Sequence, residues 1–97
     1  MEFEWDDNKN QYNFEKHGIT FEEACEIFHH PTFSVIDDRQ DYGEVREKSI
    51  GMIGTEVVIA IIHTDRNGKV RLISARRANT EERKMYHGYI KKTFKGN

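Results

Sequence analysis

Apolar and polar positions alternate from the start of the chain. Phe3-Glu4-Trp5 reads as a short strand, and Asp6 is placed to cap a helix that stops at Gly18, just after the cationic pair Lys16-His17. That helix is short and mostly polar. Thr20 with Glu23 three residues later is a capping-box signature, and Phe21, Ala24, Cys25, Ile27 and Phe28 follow at helical spacing. They predict a second helix ending before Pro31. Phe33 to Ile36 reads as a strand and Asp37 to Gly43 as a polar loop.

From Val45 the pattern becomes that of an antiparallel meander. One strand runs to about Ile53, Gly54-Thr55 turns the chain, and Val57 to Ile62 is apolar throughout, which predicts a central strand buried on both faces. Asn67-Gly68 is the dipeptide favoured in type I′ hairpin turns, and Val70 to Arg76 returns as the next strand. Asn79, with Glu82 at the third helical position, caps a final helix with Met85, Tyr86, Tyr89 and Ile90 on one stripe, and Lys91 to Lys95 are expected beyond it as a tail. The expectation is an α+β fold in one domain over residues 1–97: an antiparallel sheet with two N-terminal helices and a C-terminal helix.

Composition narrows this picture. A chain of 97 residues has room for one core, and with 33% charged against 36% apolar residues that core is thin. The longest apolar run is the six residues Val57 to Ile62, far from the roughly 20 a membrane helix needs, so no membrane association is expected. The acidic start, Met1-Glu2-Phe3-Glu4-Trp5-Asp6-Asp7, is unlike a signal peptide. Cys25 is the sole cysteine, which rules out an internal disulfide and a thiolate-rich zinc site. A cytoplasmic location is the natural expectation. The net charge of −2 conceals a polarised chain: residues 1–30 carry two basic and eight acidic side chains, residues 31–65 three and seven, and residues 66–97 ten and two. A basic third of this kind is a footprint for phosphates or for an acidic protein surface, unless it folds against the acidic segment of its own chain.

Standard nucleotide and metal fingerprints are absent. Cys25 and His29, one helical turn apart with His30 adjacent, make a weak metal motif, and Ser34, Ser49 and Ser74 all fall in predicted strands, away from any nucleophile elbow. What stands out is a set of cations: Arg46, Arg71, Arg76 and Arg77, with Lys16-His17 at a helix end. Strict alternation along a strand puts Arg71 and Arg77 on one face with Ile73, and Arg76 on the other with Leu72 and Ser74. Arginine forks suit phosphate oxygens, and two or three of them in a cleft can stabilise the phosphorane formed when an RNA 2′-hydroxyl attacks its own phosphodiester. His17, Glu44 and Tyr86 have the chemistry to move the protons. The competing reading is that Glu44, Glu47, Glu81 and Glu82 pair these arginines on a solvated surface and that Tyr86 is core.

Phe3-Glu4-Trp5-Asp6, Lys9, Asn13, Lys16-His17-Gly18-Ile19-Thr20-Phe21-Glu22-Glu23-Ala24, Gly43-Glu44 with Arg46, Ile50-Gly51, and Ile73-Ser74-Ala75-Arg76-Arg77-Ala78 followed by Glu82-Arg83 and Tyr86 resemble the BrnT toxins of bacterial type II toxin–antitoxin pairs. The resemblance spans about residues 3–86. It implies a RelE-like α/β fold, ribonuclease activity that slows translation, and neutralisation by a BrnA antitoxin; the transesterification chemistry itself needs no metal, and no cofactor is expected. Promoter DNA would be reached only through that antitoxin. Carried over by position, it points to Lys16, His17, Arg46, Arg71, Arg76 and Tyr86 as active-cleft or cleft-supporting residues, and to Lys9, Arg77 and Arg83 as substrate contacts. Asn79 stands where the family usually has Thr, which keeps a helix cap, and Glu81 where it usually has a basic residue, which removes a positive charge. The alternative is a catalytically degenerate binding module that acts with an antitoxin as co-repressor on DNA.

Overall fold

The computed structural model describes residues 1–94. In chain order its elements are β1 (Phe3–Glu4), α1 (Asp7–His17), α2 (Phe21–Ala24) running on into a 3₁₀ turn (Cys25–His29), β2 (Phe33–Ile36), β3 (Glu47–Ile53), β4 (Val57–Arg66), β5 (Lys69–Arg77) and α3 (Thr80–Thr93). The strands form one sheet in the order β1-β5-β4-β3-β2.

The predicted meander is present as β3-β4-β5, and Asp6, Thr20 and Asn79 cap their helices through the backbone N–H groups of Lys9, Glu23 and Glu82. Asn67 and Gly68 both have positive φ, 53° and 79°, as the two central positions of a type I′ turn require. Four expectations change. The sheet is mixed, because the two-residue β1 lies parallel to β5. The second helix has only four α-helical residues before it tightens into the 3₁₀ turn. β4 continues to Arg66, so His63 and Thr64 are buried strand residues. Finally, α3 reaches Thr93, so Lys91 and Lys92 are helical; Lys95 of the expected tail lies outside the described residues.

β4 is buried on both faces, as its apolar run predicts. On one face Ile59 and Ile61 pack with Leu72, Ala75, Phe21, Ala24 and Ile27 under α2 and the 3₁₀ turn. On the other, Val58 and Ala60 pack with Ile50, Ala78 and Tyr86 under α3. The first layer is tight enough to dictate Gly51: a Cβ there would come within 2.7 Å of the Ile27 Cβ.

The deviation that matters for the site is in β5. Ile62 pairs with Ser74 but His63 pairs with Leu72, leaving Ile73 as the extra residue of a β-bulge. The bulge resets the alternation. Arg71 pairs with Thr64 and Arg76 with Ala60, which puts both on the α3 face, whereas Arg77 pairs with Ile59 on the α2 face. The grouping of Arg71 with Arg77 expected from simple alternation is therefore wrong, and the cause is the one inserted residue.

Candidate active site

Alone among α1 residues, Asn13 is buried, so this helix is not held by an apolar stripe. It is held by amide side chains. β1 pairs with β5 only at Val70 and Arg71, and beyond that point the β5 edge is taken by Asn13, whose Nδ2 donates to the Ala75 carbonyl at 2.8 Å and whose Oδ1 accepts from the Ala75 N–H at 3.0 Å. Nδ2 also donates to the Ile19 carbonyl at 2.9 Å. One turn earlier, Asn10 Oδ1 accepts the Phe21 N–H at 2.8 Å and its Nδ2 donates to Glu22 at 2.8 Å, tying α1 to the start of α2. These bonds set Lys9, Tyr12, Lys16 and His17 beside Ile73 and Ser74, around a cavity of about 270 Å³.

On the neighbouring stretch of β5, Glu82 organises the cations of the α3 face. It is 3% exposed and accepts from Arg76 Nη1 at 2.7 Å and Nη2 at 2.9 Å, from Lys48 Nζ at 2.8 Å, and from the Asn79 N–H at 2.9 Å. The bidentate Arg76 fork, then Lys48 and the helix-cap N–H, hold its carboxyl down at about 2 against the opposing effect of burial. Arg76 and Lys48 also line a second cavity, about 200 Å³, walled by Val35 to Arg39. Arg39 is fixed there by a bidentate pair with Asp37 at 2.7 and 3.0 Å, and Tyr42 donates to the same carboxylate at 3.3 Å. The Arg39 hydrogen bonds hold the Asp37 carboxyl below the usual range.

His17 lines the first cavity beside Lys16. Burial, the Lys16 ammonium and the Arg76 guanidinium, in that order, hold its imidazole below the ordinary histidine value. An unprotonated imidazole beside cations can accept a proton from a hydroxyl whose neighbouring phosphate the cations bind.

The remaining expected site residues are dispersed. Arg46 is 3.0 Å from Glu44 and its guanidinium lies 4.0 Å above the Tyr42 ring, so it supports the wall that carries Asp37 and Arg39 without lining either cavity. Arg71 pairs with Glu4 at 3.3 Å, five residues along β5 from Arg76. Arg77 is exposed on the opposite face, and Arg83 donates to the Ala78 carbonyl at 2.9 Å, bracing the start of α3. Tyr86 is 6% exposed within the apolar layer under α3, a packing position. Asn79 completes a full capping box, and Glu81 is exposed on the first turn of α3. Burial, then Glu22, pushes the Cys25 thiol up to about 11, and among the described residues no group of three or more His, Cys, Asp or Glu side chains is placed to hold a metal ion. Lys48 and Arg39 were missed in the sequence, and so was Tyr12. Lys48 shares the face of Ile50 and Arg76 only through the strand registers, which the sequence alone does not give.

Fold and site define a class: a small α+β protein with a five-stranded sheet, three helices and two cavities lined by cations, one by Lys9, Lys16 and His17, the other by Arg39, Lys48 and Arg76. The model of a protein family described as the ribonuclease toxin BrnT of type II toxin–antitoxin systems matches residues 5–82, and the chain belongs to this family. It is also similar to the 1.1 Å crystal structure of the Brucella abortus ribonuclease toxin BrnT, with a TM-score of 0.63 and 27% identity over 82% of this chain and 99% of that one. Comparison with curated proteins gives no significant match. Membership of a type II toxin family implies an antitoxin partner. No helix among the described residues is long and apolar enough to cross a membrane.

Proposed function

We propose that the protein is a metal-independent endoribonuclease that slows translation, working as a single RelE-like domain in the cytoplasm and restrained by a BrnA-like antitoxin. The observation that carries this reading is His17 set beside Lys16 and Lys9 around one cavity against β5. His17 accepts the proton of an RNA 2′-hydroxyl as the 2′-oxygen attacks the adjacent phosphorus. Arg76, oriented by Glu82, and Lys16 stabilise the charge that builds on the phosphorane oxygens. The bond from phosphorus to the 5′-oxygen then breaks, and that oxygen takes a proton from Lys16 or water. The products are a 2′,3′-cyclic phosphate and a 5′-hydroxyl. Since imidazole and cations supply both proton transfer and charge stabilisation, the chemistry requires no Lewis acid.

The antitoxin reading rests on the family and on the charge of residues 66–97, a surface that an acidic partner segment could mask. The acidic first two thirds of the chain repel DNA, which leaves promoter reading to the antitoxin.

One observation favours the binding-module alternative: Glu82 already engages both the Arg76 and the Lys48 heads. Incubating refolded, antitoxin-free protein with RNA in excess chelator separates the readings. Cleavage with cyclic-phosphate ends supports the ribonuclease, cleavage abolished by chelator replaces it with a metal enzyme, and intact RNA leaves the binding module.

A further inference from the structure

We propose that Tyr12, flanked by Lys9 and Lys16, is a stacking platform for one RNA base next to the scissile phosphate, which makes Tyr12 a substrate-positioning residue. This inference rests on the ribonuclease reading above and adds the place where the substrate strand is gripped.

Three observations converge on it. First, Tyr12 is 63% exposed in a chain with a thin core, and it joins no aromatic pair among the described residues. Lys9, Tyr12 and Lys16 stand at i, i+3 and i+7, one face of α1, with the Lys16 ammonium 5.7 Å from the Tyr12 ring centre. The ring is thus displayed beside cations and next to His17.

Second, the charges here have no carboxylate partner. Arg39, Arg46, Lys48, Arg66, Arg71 and Arg76 each lie within 4.0 Å of a carboxylate, whereas among the described residues Lys9 and Lys16, like Lys69, Arg77 and the lysines of α3, have none. Free ammonium groups around an exposed aromatic ring are the two components of single-strand recognition: cations follow the backbone phosphates while bases stack on rings. The cavity that Lys9, Tyr12 and Lys16 line with His17 has a volume of about 270 Å³.

Third, α1 carries an internal control. Phe14 is also exposed, at 48%, but the groove it lines contains Asp7 and Glu22, a surface that repels phosphate. Exposed aromatics therefore occur on both sides of the helix, and only the Tyr12 side is electrostatically fit for RNA.

The test uses the full-length, antitoxin-free protein and a short fluorescein-labelled oligoribonucleotide, 2′-O-methylated throughout so that it cannot be cleaved, with Kd read by fluorescence anisotropy. Unmodified RNA of the same sequence supplies KM and kcat, and circular dichroism checks that each variant is folded. Tyr12→Ala is expected to raise Kd and KM roughly 5- to 100-fold with kcat changed far less. Tyr12→Phe, which keeps the ring, should match wild type, as should Phe14→Ala. Lys9→Gln should lower the steepness of log Kd against log salt by about 0.7, the loss of one single-strand phosphate contact. Wild-type Kd and KM in Tyr12→Ala, with wild-type cleavage intact, would overturn the subsite alone. Equal losses in Tyr12→Phe or in Phe14→Ala would also overturn it, because the face of this ring would then not be what binds. If the wild type neither binds nor cleaves RNA, the ribonuclease reading fails and the subsite fails with it.

Discussion

On the α3 side of β5, Arg76 and Lys48 share one buried carboxylate, and Arg39 across the cavity is clamped by Asp37. On the α1 side, Lys9 and Lys16 stand free of carboxylates among the described residues, and burial with the neighbouring cations holds the His17 imidazole below its ordinary value. The two flanks solve different problems. A guanidinium fixed by a carboxylate keeps its remaining donors aimed at one point, which is what transition-state stabilisation needs, but it has little net charge to attract a substrate. Unpaired ammonium groups aim poorly and attract well. On the proposed reading, binding is governed by α1 and charge stabilisation by Arg76.

The sharpest way to break this comparison is Arg76→Ala. Cleavage should drop on the order of 100- to 1,000-fold in kcat, the cost of removing one preorganised donor, while the Kd for uncleavable RNA changes little. A change in Kd without a change in kcat would reverse the assignment of the two flanks. Next in size is Glu82→Ala, which strands two cations and removes half of a capping box. Because Arg76 is about a third exposed, the loss should fall near the low end of the range for breaking buried pairs, about 3 kcal/mol in urea unfolding. Asn13→Ala should cost about 1–3 kcal/mol by leaving the Ala75 N–H and two carbonyls without partners, and it should raise KM as α1 loosens. By contrast, Arg71→Ala removes a partly exposed pair and should stay within about 1 kcal/mol, with cleavage near wild type.

Acid should reveal the same arrangement in two steps. His63 is 5% exposed, its Nε2 lies 2.7 Å from Ser49 Oγ, and burial is the main cause holding its ring below the ordinary value. The unfolded chain takes up that proton first, so stability falls as pH drops below about 6.5. Glu82, with its folded value near 2, stabilises the protein above the ordinary carboxylate value of about 4.5, and that contribution is lost as pH falls toward 2. Thermal unfolding from pH 8 to pH 2 should show both declines, and Glu82→Gln should flatten the lower one. The acid limb of kcat/KM should have its midpoint below 6.5 and disappear in His17→Gln.

Much of this was legible in the chain because it is local. The caps at Asp6, Thr20 and Asn79, the turn at Asn67-Gly68 and the doubly buried β4 each follow from residues within a few positions of one another. Lys16 and His17, adjacent in the chain at the end of α1, line one cavity. What could not be read depends on partners distant in sequence. The bulge at Ile73 exists only relative to β4, yet it moves Arg76 onto the face of Lys48 and Glu82. The parallel pairing of β1 has two residues of pattern behind it, too few to fix a direction. Asn13 looked like any polar residue on a polar helix, and Tyr86, whose spacing fitted both core and cleft, was resolved by its packing.

Asn13 does more than anchor a helix. An unpaired strand edge is a template on which other chains can add themselves, and proteins blunt such edges with charge, proline or a covering element. Here one amide mimics a strand at a single position, satisfying the N–H and the C=O of Ala75 together, so the edge of β5 beyond β1 is blunted there without another strand. The same side chain that holds the α1 cations in place therefore also covers part of a sheet edge. Loosening α1 would expose a hydrogen-bonding edge along with the cleft, and loss of solubility would accompany loss of substrate grip.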